Sequence, residues 1–156
     1  RERFGMRVIN KGNLHEKLRE WQDETLAILV LFDQSPPHAT RAYWADFLSQ
    51  ETGFLFGTEK LAVMYDMPVV QYEMHESDHG YYQIELKLIS QHPRNEAYGM
   101  ITESLITNLE KQIREAPEYW LWSHKRWKHE PPEERDALLQ SQKGKYRIWK
   151  EEELGA

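Results

Sequence analysis

Leu26-Ala27-Ile28-Leu29-Val30-Leu31-Phe32 is an unbroken apolar run without polar alternation, and it constrains the fold more than any other segment. A strand solvated on one face alternates in polarity, whereas a strand covered on both faces does not, and such strands belong to sheets with parallel pairs. The run is therefore read as a buried strand, and the chain as an α/β fold whose mixed, partly parallel sheet is flanked by helices. The same run is too short to cross a bilayer. A length of 156 residues fits one ordinary domain. With 40% hydrophobic residues and six Trp, enough apolar area exists to oppose disorder. The formal charge of -6 argues against a dedicated nucleic-acid binder. The absence of cysteine excludes disulfides, thiolate zinc sites and a cysteine nucleophile. No signal peptide is visible. From Arg1 the chain runs at once into Phe4-Gly5-Met6-Arg7-Val8-Ile9, which reads as the middle of a fold, so a fragment incomplete at its N-terminus is expected.

Around the central run, Met6 to Ile9 is a short strand candidate, and Asn13 is placed to cap a helix from Leu14 to Trp21. Asp33 to Phe56 contains Pro36-Pro37 and scattered aromatics, predicting a long irregular loop with one helical turn near Ala45. Thr58 can cap a helix from Glu59 to Tyr65. Val69 to Met74 and the alternating Tyr81 to Leu88 form two strands about a turn at Ser77-Asp78-His79-Gly80, the second of them half-buried. Ile101, Leu105, Ile106, Leu109 and Ile113 recur at helical spacing and predict an amphipathic helix over 97–114. Pro117 stops it and opens another helix through Trp122. Glu133 to Gln140 is a last short helix, followed by a frayed tail over 150–153.

Three groups of residues can carry chemistry. Asp33 and Gln34 directly follow the apolar run, at the carboxyl end of a sheet strand where ligands collect; the plainer reading is a carboxylate opening the Ser35-Pro36-Pro37 turn. His75-Glu76-Ser77-Asp78-His79 matches the H-E-x-x-H pattern, in which two histidines one helical turn apart grip zinc and the Glu activates water. That chemistry needs a helix, and here strands flank a turn, so no metal is expected and a zinc hydrolase is a minor alternative. Finally, Trp120, Trp122 and Trp127 sit among His124, Lys125, Arg126 and Lys128. Amphipathic aromatics beside cations suit a lipid headgroup boundary or a lipid phosphate. They equally suit a core Trp with a solvated basic face.

Taken in order, the apolar run, Asp33-Gln34, Phe54-Leu55-Phe56-Gly57-Thr58-Glu59-Lys60-Leu61-Ala62, Met67-Pro68-Val69-Val70 and Pro117-Glu118-Tyr119-Trp120-Leu121-Trp122-Ser123-His124-Lys125-Arg126-Trp127-Lys128 resemble the lipid A biosynthesis (lauroyl/myristoyl) acyltransferase family. The last block is the most specific, and the resemblance spans about Arg1 to His129. It implies a glycerolipid-acyltransferase-like fold, with residues 1–130 the C-terminal part of an acyltransferase domain and 131–156 a helix and tail. It also implies transfer of a fatty acyl group from acyl carrier protein to a hydroxyl of a lipid A precursor at the cytoplasmic face of the bacterial inner membrane, without a cofactor. Asp33 matches the supporting acid of the family's Asp-Gln motif, with Gln34, Gly57 and Thr58 as substrate-binding candidates. The family's His-x-x-x-x-Asp/Glu base motif is absent from this chain. His15 with Glu20, and His129 with Glu134, imitate its spacing outside its context, and neither is assigned a role. The chain alone is therefore expected to be inactive, and surface left uncovered by a missing first half is expected to favour self-association. The alternative from another class is a noncatalytic peripheral module that binds an anionic membrane surface through the Trp and Lys/Arg block.

Overall fold

The computed structural model describes residues 2–151. The chain divides into two units, residues 1–30 and 31–156. In the first, Leu14–Glu20 forms α1. Asn13 makes no capping bond with its side chain; Asn10 instead accepts from the Gly12 N–H at 3.0 Å and shapes the short 3-10 turn before the helix. Arg7 pairs with Glu24 and lies 4.4 Å from the Trp21 ring, tying the two ends of this unit together. Met6 to Ile9 is extended without a strand partner, so the strand expected there does not form.

The second unit holds four strands and three helices: β1 (Ala42–Phe47), β2 (Gln50–Leu55), α2 (Gly57–Tyr65), β3 (Val69–Asp78), β4 (Tyr81–Ser90), α3 (Met100–Glu115) and α4 (Arg135–Glu151). It is a mixed α/β arrangement of two separate antiparallel ribbons, β1 with β2 and β3 with β4. Among the described residues no parallel pair forms. Leu26 to Phe32 is extended but joins no ladder, and Leu29 and Leu31 are more than half exposed. Apolar composition favours a strand, but a strand exists only where a neighbour completes its hydrogen bonds. Phe32 packs against both hydrophobic clusters.

The expected loop between Asp33 and Phe56 contains the first ribbon. Its two-residue turn, Leu48-Ser49, has both residues at positive φ (50° and 64°), the geometry that matches strand twist in tight hairpins. Neither residue is the Gly or Asn that advertises such a turn, which is why the hairpin was not legible. The helix over 97–114 is present as α3, whose Ile106, Leu109 and Ile113 pack on Tyr43, Phe47 and Phe54 of the first ribbon. Ile101 and Leu105 pack on Ala62 and Val69. The helix expected through Trp122 is a single 3-10 turn, Pro117–Tyr119. The last helix is longer than its predicted 133–140 span; Tyr146 is buried and Lys150 Nζ donates to the Glu96 carbonyl at 2.9 Å, so docking holds the turns that composition would let fray. Glu152 and Glu153 lie outside the described residues.

One buried carboxylate organises this unit. Glu59, on the first turn of α2, is fully buried and accepts from Gly99 N–H (2.7 Å), Thr102 N–H (2.8 Å) and Thr102 Oγ1 (2.6 Å). Gly99 is the N-cap of α3, so a residue distant in sequence supplies the acceptor that a capping side chain normally provides. Thr58, expected to cap α2, leaves its hydroxyl buried without a partner. Gly99 itself has φ 89° and lies against the Tyr43 ring, so any side chain there would meet Tyr43. Burial pushes the Glu59 carboxyl above the ordinary glutamate range, opposed by its bonds from Thr102, Gly99 and Tyr146. Its contribution to stability is then largest below the ordinary carboxylate range and declines as pH rises towards the raised value. Glu59→Gln, which cannot ionise, is expected to remove that decline in urea titrations run across the acid range. Glu59→Ala, which leaves three donors unpaired, should lower stability by about 3 kcal/mol.

Candidate functional site

Asp33, Gln34, Ser35, Pro36 and Pro37 form a bend between Phe32 and β1, and the Trp-rich block folds back onto it. His124 Nε2 accepts from the Ser35 N–H at 3.1 Å, which makes Nε2 the unprotonated nitrogen of that ring. His129 Nε2 donates to the Pro36 carbonyl at 2.8 Å. Pro36 is buried and sits over Gly53 of β2, where a Cβ would come 3.4 Å from the Pro36 ring and 3.0 Å from Ala42 Cβ. Two histidines and one glycine therefore hold the turn. None of the three was singled out as a site residue, because their roles depend on partners distant in sequence.

Arg126 is 2% exposed and its guanidinium carbon lies 4.1 Å from the centroid of Phe54. Phe32, the residue before Asp33, stacks on the same Phe54 ring at 6.2 Å. The cation is thus placed beside the start of the turn and feels the Asp33 charge, yet Nε, Nη1 and Nη2 have no hydrogen-bond partner. Burial lowers its pKa to about 10, with Asp33 opposing the shift. The Ser35 hydroxyl is a further buried polar group without a partner. Buried unpaired groups of this kind cost folding energy and are concentrated where function needs them. Asp33 is half-buried and Gln34 exposed.

The remaining members of the block separate by direction. Trp120 packs on the core cluster with Phe47. Trp127 donates from Nε1 to Thr52 Oγ1 at 2.8 Å and lies against Phe47, so it braces β2. Trp122, Lys125 and Lys128 are exposed. Of the six residues expected to meet lipid, Trp122, Lys125 and Lys128 are exposed and Trp127 is partly so while bonded to β2, whereas Trp120 and Arg126 face the protein. Gly57 and Thr58 open α2. No described helix is long and apolar enough to cross a membrane.

The H-E-x-x-H match spans the end of β3 and the following turn, so its histidines are not presented by a helix. His75 instead lies near Glu73 and Glu85, with ligand atoms within 4.8 Å of one another, and His79 is not part of that group. Solvent-facing carboxylates on a ribbon reach such distances without a metal. Two adjoining clefts of about 330 and 400 Å³, sharing Trp44, Glu103 and Arg135, lie elsewhere, and no candidate residue lines them.

The bacterial lipid A biosynthesis acyltransferase model matches residues 1–129. The chain belongs to that family. Neither a curated protein nor a solved structure matches the chain significantly. For this acyltransferase-family chain the buried guanidinium has a measurable consequence. Replacing a buried, unpaired cation by an apolar side chain of similar length is neutral or stabilising, by about 1–4 kcal/mol. Arg126→Met is therefore expected to unfold at equal or higher denaturant than the unaltered protein; a clear loss of stability would mean that the guanidinium has an acceptor.

Proposed function

We propose that this chain carries the acid-bearing part of an acyltransferase that moves a fatty acyl group from acyl carrier protein to a hydroxyl of a lipid A precursor, at the cytoplasmic face of the bacterial inner membrane. The observation that supports it is the clamping of the Asp33–Pro37 turn by His124 and His129, with the buried Arg126 cation within reach of the Asp33 charge. In the reaction the acceptor oxygen attacks the thioester carbonyl, its proton passes to a base, the carbonyl oxygen gains charge that donors must stabilise, and the thiolate leaves with the proton. A carboxylate that orients an imidazole base and favours its protonated form fits this sequence. Asp33 takes that supporting role beside the buried Arg126, and Gln34, Gly57 and Thr58 line the substrate side. His124 is engaged with Ser35 and His129 with Pro36, so neither is free to be the base, which the full-length parent supplies from its His-x-x-x-x-Asp/Glu motif. The family resemblance implies the glycerolipid-acyltransferase-like fold for this enzyme.

Two measurements test the reading. The isolated chain should show no transfer from acyl carrier protein, whereas Asp33→Ala in the full-length parent should remain folded and lose about four orders of magnitude in rate, as supporting carboxylates do. A near-normal rate would assign Asp33 to turn formation alone.

The outward members of the block suit an anionic membrane surface. Basic residues close to such a surface contribute about 1 kcal/mol each. Changing Lys125 and Lys128 together to Gln should weaken binding to anionic vesicles at low salt by roughly thirtyfold, while Arg126→Met leaves it unaltered. Unchanged binding in the double variant would remove these lysines from the membrane face. Vesicle binding by a parent that never transfers acyl groups would favour the noncatalytic module.

A further inference from the structure

The second ribbon is amphipathic in an unusual sense. Its cross-strand pairs Val70–Leu88, Tyr72–Leu86 and Met74–Ile84 lie on one face, and Tyr82, opposite Glu76, continues it. All seven of these apolar side chains are between 46% and 71% exposed. The polar face is the one turned to the protein: Asn108 of α3 donates to Gln71 Oε1 at 3.0 Å and accepts from Lys87 Nζ at 2.7 Å. Half-buried strands hide their apolar side, so here the pattern is inverted. At the ribbon tip Tyr119 donates to Glu76 Oε2 at 2.7 Å, and Tyr119, Leu121 and Trp122 extend the exposed apolar surface.

We infer that this face is the contact between two copies of the chain, packed ribbon on ribbon about a two-fold axis. Seven large side chains more than about half exposed supply several hundred Å² of apolar surface per copy, on the scale of the roughly 800 Å² per partner of a stable interface and above what a monomer ordinarily leaves open. Two sheets pack face to face by interdigitating such rows. An isolated two-stranded ribbon is marginal on its own, and a second ribbon supplies the missing layer. Charge favours a protein partner over an anionic bilayer: the apolar rows contain no cation, the tip carries Glu76 and Asp78, and the ribbon's single lysine, Lys87, is bound to Asn108 on the other face.

The test uses the whole 156-residue chain. Sedimentation over a wide concentration range should show a monomer–dimer equilibrium that persists in high salt. Ile84→Lys and Leu86→Lys alter only exposed positions and should each raise the dissociation constant by at least about tenfold with an unchanged circular dichroism spectrum. A wild-type chain that stays monomeric, a dimer indifferent to both lysine variants, a monomer whose ribbon binds phosphatidylcholine vesicles, or a full-length parent whose self-association is indifferent to Ile84→Lys because its own residues cover the ribbon, would each overturn the inference.

Discussion

The carboxylate of Glu59 is the interaction on which the second unit depends. It spends an ionisable group in the interior to complete the first turn of α3, and α3 is the helix on which both hydrophobic clusters are built. The bond also fixes Gly99, whose positive φ and lack of a side chain let Tyr43 of β1 approach. Helix start, ribbon position and aromatic packing are thereby one arrangement: Tyr43 stacks on Phe56 at 5.6 Å, Phe56 lies 4.9 Å from Tyr98, and Tyr98 meets the buried Tyr146 of α4 edge-on. The first-turn N–H groups of a helix have no partner within it, and a buried acid that accepts from them satisfies both sides.

Against that well-satisfied acid stands Arg126, a buried cation with none of its donors engaged. The contrast is physical. Glu59 neutralises a helix end and has every acceptor site used, whereas Arg126 rests on the face of Phe54 and within reach of the Asp33 charge. Ring faces attract cations but do not replace hydrogen bonds. The cost of burying it falls beside the Asp33–Pro37 turn.

The same trade governs the surface. Both ribbons obey the alternation that any strand requires, but only the first turns its large aromatics inward, where Phe47 and Phe54 meet edge to face at 5.2 Å. The second presents its apolar rows outward because its polar rows have specific partners on α3. Hydrophobic patterning identifies two faces of a strand; it does not say which face the rest of the chain will cover.

The residues themselves determined the longest amphipathic helix and the family. Ile101 to Ile113 at helical spacing, the alternation of β4 and the turn ending in Gly80 required no distant partner, and the ordered motifs from Asp33 to Lys128 carried the resemblance to the acyltransferase family. Tertiary structure decided everything that depends on pairing across the chain. The 26–32 run has the composition of a buried strand but no ladder neighbour, the Leu48-Ser49 turn adopts positive φ without the residues that announce it, and Arg126 lies inside although its neighbours Lys125 and Lys128 lie outside. Glu59 read as an ordinary first-turn acid of its own helix and became the cap of another. In each case local sequence specifies a residue's capacity to bond or to be buried, and only the folded chain supplies, or withholds, the group opposite.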